Sequence, residues 1–141
     1  MDPASSQPLR CLLAIDDVVA RDAIAQAVGS FDAVECDAKD LAHGRDQLRR
    51  RTYDLAFVAL KSVSKDSKQL LDEIRETSPA ALVIGVTPAA ALEGKKQERA
   101  ENALFALLGV PLDVVQTFST LRRAIDRITK SRLDRSSAPR T

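Results

Sequence analysis

Apolar residues in this chain fall in short runs separated by longer amphipathic stretches, and the alternation repeats five times. The runs are "LRCLLAI" (9–15), the weaker "DAVECDA" (32–38), "DLAFVAL" (54–60), "ALVIGVT" (81–87) and "ALFALLGV" (103–110). Near-continuous aliphatic runs of this length predict strands buried on both faces rather than half-exposed ones. Between them the spacing turns helical. Residues 18–28 place Val18, Ala20, Ile24, Ala27 and Val28 on one face, closed by Gly29. Residues 39–51 predict a polar helix with Leu41 and Leu48 inward and an interruption at Gly44. Residues 65–77 put Leu70, Leu71 and Ile74 together, and 88–102 read as a longer helical stretch. The clearest stripe is the last, with Val114, Phe118, Leu121, Ile125 and Ile128 in line.

Strands alternating with helices on short connections predict an α/β fold, a five-stranded parallel sheet wrapped on both faces. One domain is expected over residues 9–130. It is preceded by a Pro/Ser-rich disordered tail, 1–8, and followed by a basic polar tail or linker, 131–141. Composition agrees: 45% hydrophobic and 29% charged residues, few aromatics and no Trp make an aliphatic core. A formal net charge of +1 gives no global field for nucleic acid or membrane. No apolar run approaches membrane length and no signal pattern opens the chain, so a cytoplasmic protein is expected. Cys11 and Cys36 read as buried strand thiols, and with His43 as the one histidine a zinc site has little to build on.

In open parallel sheets chemistry gathers beyond the carboxyl ends of the strands. Here those ends carry Asp16 and Asp17 after the first run, Ala59 near the end of the third, Thr87 at the end of the fourth and Val110–Pro111 after the fifth. With "YDL" opening the third strand, the layout resembles the receiver domain of two-component response regulators over about residues 9–130. The resemblance implies a flavodoxin-like (βα)5 three-layer sandwich of strand order 2-1-3-4-5. It also implies an aspartate on the third strand that takes a phosphoryl group from a histidine kinase. An acid pair would help hold Mg²⁺, with a Ser/Thr and a Lys engaging the phosphoryl oxygens. Transferred by position, the family's Asp-Leu-x-x-x-Asp falls on Asp54, Leu55 and Ala59, and its Lys-Pro on Val110 and Pro111. The phosphoacceptor and the lysine are therefore both replaced, while Thr87, Asp16 and Asp17 match. A gapless register to Arg21 instead puts Ile15 at the first acidic position. The chain resembles a degenerate receiver, or pseudo-receiver.

Each matching residue has a plainer reading. Asp17 suits the N-cap of the first helix, and any Mg²⁺ site on Asp16 and Asp17 is expected to be weak without a third carboxylate. Thr87 before Pro88 reads as a helix N-cap with proline at the first helical position. Ser62, Ser64 and Asp66 read as turn and cap residues, with substitute phosphoacceptor the rarer role. His43 is expected on the surface. Arg49–Arg51 and the basic residues of the last helix and tail read as solvated faces: Asp126 and Asp134 interleave them and no stacking aromatics accompany them.

The expected role is a phosphorylation-independent signalling module, not an enzyme, binding a protein partner, an attached output domain or a second copy of itself. The resemblance points to the surface of the fourth helix, last strand and last helix, here Lys95, Lys96, Glu98, Phe105, Arg122, Arg123 and Asp126. The alternative is a phosphotransfer receiver using an unusual acceptor with Mg²⁺. An enzyme on the same flavodoxin-like fold finds no support, because "IDDVVA" lacks the glycines of a phosphate loop and no Ser-His or Cys-His arrangement is recognisable.

Overall fold

The computed structural model describes residues 8–32, 34–39, 41–60, 65–91 and 104–137. The chain runs β1 (Leu9–Ala14), α1 (Val18–Gly29), β2 (Val34–Lys39), α2 (Leu41–Leu48), β3 (Leu55–Ala59), α3 (Lys65–Thr77) and β4 (Leu82–Pro88). A 3₁₀ turn (Ala89–Ala91), β5 (Ala106–Val110) and α4 (Val114–Ser137) follow. All pairings are parallel, as the alternation predicts, and the order is β2-β1-β3-β4-β5, as the receiver resemblance implies.

Successive side chains of a strand point to opposite faces, so each strand feeds two cores. On one face Leu13, Phe57, Ile84 and Leu108 pack with Ile24 and Val28 of α1 and Leu121 and Ile128 of α4. On the other, Leu12, Ala56, Val58 and Val83 meet Leu48, Leu70, Leu71 and Ile74 of α2 and α3. Gly44 does not interrupt α2. It is buried where the helix crosses β1, and a Cβ there would stand 3.0 Å from the Ala14 Cβ.

Two helical faces differ from the predicted stripes. Val18 is exposed at the start of α1, leaving Ala20, Ile24, Ala27 and Val28 inside. In α4, Val114 is 69% and Phe118 39% exposed, while Thr117, Thr120, Leu121, Ala124 and Ile128 are buried. The buried threonine is tolerated because the Thr117 Oγ1 donates to the Asp113 carbonyl at 2.7 Å. Phe118 turns aside to pack its ring on Phe31, with centroids 6.2 Å apart.

The last helix also runs on through residues 131–137, where the sequence reads as a tail. Arg132 shows what holds it: its Nη2 donates to Asp54 Oδ2 at 2.8 Å, and that oxygen also accepts the Arg10 amide at 3.0 Å. Asp54 thus ties α4 to the amino-terminal end of the sheet, between β1 and β3.

Cys11 and Cys36 face each other in register on β1 and β2 and are both free thiols. Burial, reinforced by the hydrogen bond to Cys36, pushes the Cys11 thiol well up; the same bond pulls the half-buried Cys36 thiol down.

Iodoacetamide is therefore expected to label Cys36 well before Cys11 in the folded chain, read by peptide mass mapping, since the thiolate is the reactive form. Gly44→Val, which forces α2 off β1, is expected to lower stability by about 1–3 kcal/mol, seen as a reduced urea midpoint at unchanged slope.

Candidate functional site at the strand tips

The carboxyl ends of β1, β3, β4 and β5 converge on one cavity of about 230 Å³, lined by Ile15, Asp16, Asp17, Ala20, Ala59, Leu60, Val86, Thr87, Pro88 and Val110. The topology brings them together: β3 ends at Ala59, whose β4 partner is Val86, and Thr87 and Pro88 pair with Gly109 and Val110. Of the strand-tip residues singled out in the sequence, Asp16, Asp17, Ala59, Thr87 and Val110 are here and Pro111 is not among the lining. The sequence did not point to Leu60, Val86 or Ala20; their signal lay only in their place beside those tips.

Asp17 is the N-cap of α1. Its Oδ1 accepts the Val19 amide at 2.9 Å and the Ala20 amide at 3.4 Å, satisfying donors that the helix leaves open. Ile15 is buried and its amide donates to the Lys39 carbonyl at 3.0 Å. Arg21 reaches back from α1, Nη1 donating to the Ile15 carbonyl at 3.3 Å. The tip of β1 therefore presents an aliphatic side chain, one exposed carboxylate on Asp16 and a second carboxylate engaged as a cap.

Thr87 keeps the strand position that the run 81–87 predicts and loses the cap role read from Thr87–Pro88. It is not a helix cap but a β4 residue, because the ladder to β5 continues through Thr87↔Gly109 and Pro88↔Val110 and holds the backbone extended. Proline is tolerated at this last strand position, where no further ladder donor is required. Thr87 is 2% exposed, and its Oγ1 finds no hydrogen-bond partner among the described residues. The helix predicted over 88–102 is replaced at its start by strand and 3₁₀ turn, and the rest lies outside the described residues.

The donor set does not fit a tightly held Mg²⁺. Hard cations take several oxygen ligands, and here one of two neighbouring carboxylates is bonded to helix amides while β3 offers the Ala59 methyl. Among the described residues no three His, Cys, Asp or Glu side chains converge. Val110, followed by a cis peptide to Pro111, supplies no cation.

On the surface named from the resemblance, Phe105 is half-buried just ahead of β5 with the Arg123 guanidinium 6.0 Å from its ring centroid. Arg122, Arg123 and Asp126 are exposed on α4; Lys95, Lys96 and Glu98 lie outside the described residues, as do Ser62 and Ser64. Asp66 lies in α3, and His43 is exposed on α2. No helix among the described residues is long and apolar enough to cross a membrane.

No protein-family model matches the chain, and no curated protein matches it. Solved structures do. A CheY-like response regulator receiver domain protein from Methanospirillum hungatei superposes with a TM-score of 0.73 at 20% identity, covering 89% of this chain and 99% of that one. The signal receiver domain of an HD domain-containing protein from Pseudomonas fluorescens gives 0.68 at 21% identity, covering 90% and 93%. NtrX from Brucella abortus gives 0.76 at 20% identity over 96% of this chain but 31% of its own length. The chain has the CheY-like receiver fold.

Replacing Asp17 by Ala is expected to cost about 1 kcal/mol of stability, whereas Asp17→Asn, which keeps a capping oxygen, stays close to the parent. Urea unfolding of the two variants separates a capping role from one that needs the charge.

Proposed function

We propose that this chain is a phosphorylation-independent receiver module that signals by binding protein, an attached output domain or a second copy of itself. The observation that carries this reading is the Ala59 methyl at the tip of β3, facing a cavity whose β1 and β5 walls are Ile15 and Val110. A methyl group cannot attack phosphorus, and a valine cannot neutralise the charge of a transferred phosphoryl group. Among the described residues β3 ends without an acceptor at Ala59 and β5 without a cation at Val110, which leaves the transfer and its readout without their usual groups.

The proposed contact surface is the start of β5 with α4. Arg122, Arg123 and Asp126 stand exposed there, and the Arg123–Phe105 stack places an aromatic edge among mixed charges. Arginine and aromatic residues are over-represented where proteins dock. The two solved relatives that are parts of larger proteins, the HD domain-containing protein and NtrX, make an attached output domain the favoured partner.

The test is intact mass spectrometry after incubation with acetyl phosphate and Mg²⁺. The unmodified mass is expected. A stoichiometric phosphate adduct would sink the proposal and favour an unusual acceptor, which peptide mapping would then locate.

A further inference from the structure

We propose that the strand-tip cavity is a binding site for a small uncharged molecule, a mainly hydrocarbon body of about one substituted ring with a single hydrogen-bonding oxygen or nitrogen. This rests on the degenerate-receiver reading in one respect only: Ala59 and Val110 line the cavity where the resemblance places charged residues.

Three features set the ligand class. The volume of about 230 Å³ lies below the roughly 300–1,000 Å³ of drug-sized sites, which suits one ring rather than a nucleotide or cofactor. The walls are Ile15, Ala59, Val86 and Val110, so an ion entering would lose its hydration against hydrocarbon. Asp16 and Asp17 at the rim further disfavour an anion, and Arg21 offsets only part of their charge.

The third feature points to a ligand rather than to packing alone. Thr87 lines the cavity, is 2% exposed and has a hydroxyl with no partner among the described residues. Buried hydroxyls are ordinarily paired, because leaving one unbonded is unfavourable. A carbonyl, hydroxyl or ring nitrogen carried in on an apolar body would complete it. The result is a site with one polar anchor and an aliphatic wall, the usual make-up of small-molecule pockets.

The test is an amide NMR titration of the isotope-labelled full chain with benzyl alcohol, set beside benzoate, the same ring carrying a negative charge. Benzyl alcohol is expected to give saturable shifts at Ile15, Ala59, Val86, Thr87 and Val110, and benzoate to bind at least about tenfold more weakly. Ala59→Leu, which fills the cavity, should abolish the shifts. Val110→Leu does the same from the opposite wall should the first variant lose its folded spectrum. Thr87→Val, which keeps the shape and removes the hydroxyl, should weaken binding about 3- to 10-fold. Absent or scattered shifts, equal binding of benzoate, or undiminished binding by the cavity-filling variants would overturn the site. Failure here is distinct from failure of the proposed function: a phosphate adduct with benzyl alcohol binding intact removes phosphorylation independence alone, and silence in both experiments removes the ligand site alone.

Discussion

The parallel pairing of β3 with β1 on one side and β4 on the other sets the terms for everything else. A strand bonded on both edges and covered by helices on both faces has no room for polarity, and Leu55, Ala56, Phe57 and Val58 are all buried. Chemistry is confined to the carboxyl tip of the strand, Ala59, which has run past β1 and keeps only its β4 partner Val86. The same constraint governs β4, buried from Val83 to Thr87. What the molecule can do is decided by the handful of residues at the carboxyl tips of the strands.

Those residues divide the sheet into two unlike ends. At the amino-terminal end Asp54 accepts from the Arg10 amide and from Arg132, so charge is present and paired. At the carboxyl end, where the fold places its receptive edge, the lining is aliphatic apart from Thr87 and the two aspartates. A phosphoryl site needs the carboxyl end rich in charge and open to water. Here the exposed Asp16 and Asp17 bring charge on the β1 side, while Ala59 and Val110 are uncharged tips that pack against the core beneath α1 and α4.

The layout was legible in the sequence because it is written in long-range averages: apolar runs for strands, a 3.6-residue period for α3, and their alternation for a parallel sheet, whose strand order the receiver resemblance supplied. The tips were legible because they sit at the ends of those runs. The errors came where tertiary contacts outvote a local rule. Thr87–Pro88 has the chemistry of a helix start, yet pairing with Gly109 and Val110 keeps it extended. The stripe of α4 was rotated because hydrophobicity alone ranks Val114 and Phe118 above Thr117, whose hydroxyl is satisfied within its own helix. Gly44 reads as a break until the sheet beneath α2 is known, and the Arg132–Asp54 pair joins residues 78 positions apart, beyond any window.

That pair bears on the long last helix. At 24 residues, α4 is about 36 Å long, packed along the sheet by Leu121 and Ile128 and gripped again by Arg132 near its far end. A rod held at separated points resists pivoting about either of them. Its far end thus keeps a fixed compass bearing relative to β3, set by the Arg132–Asp54 contact.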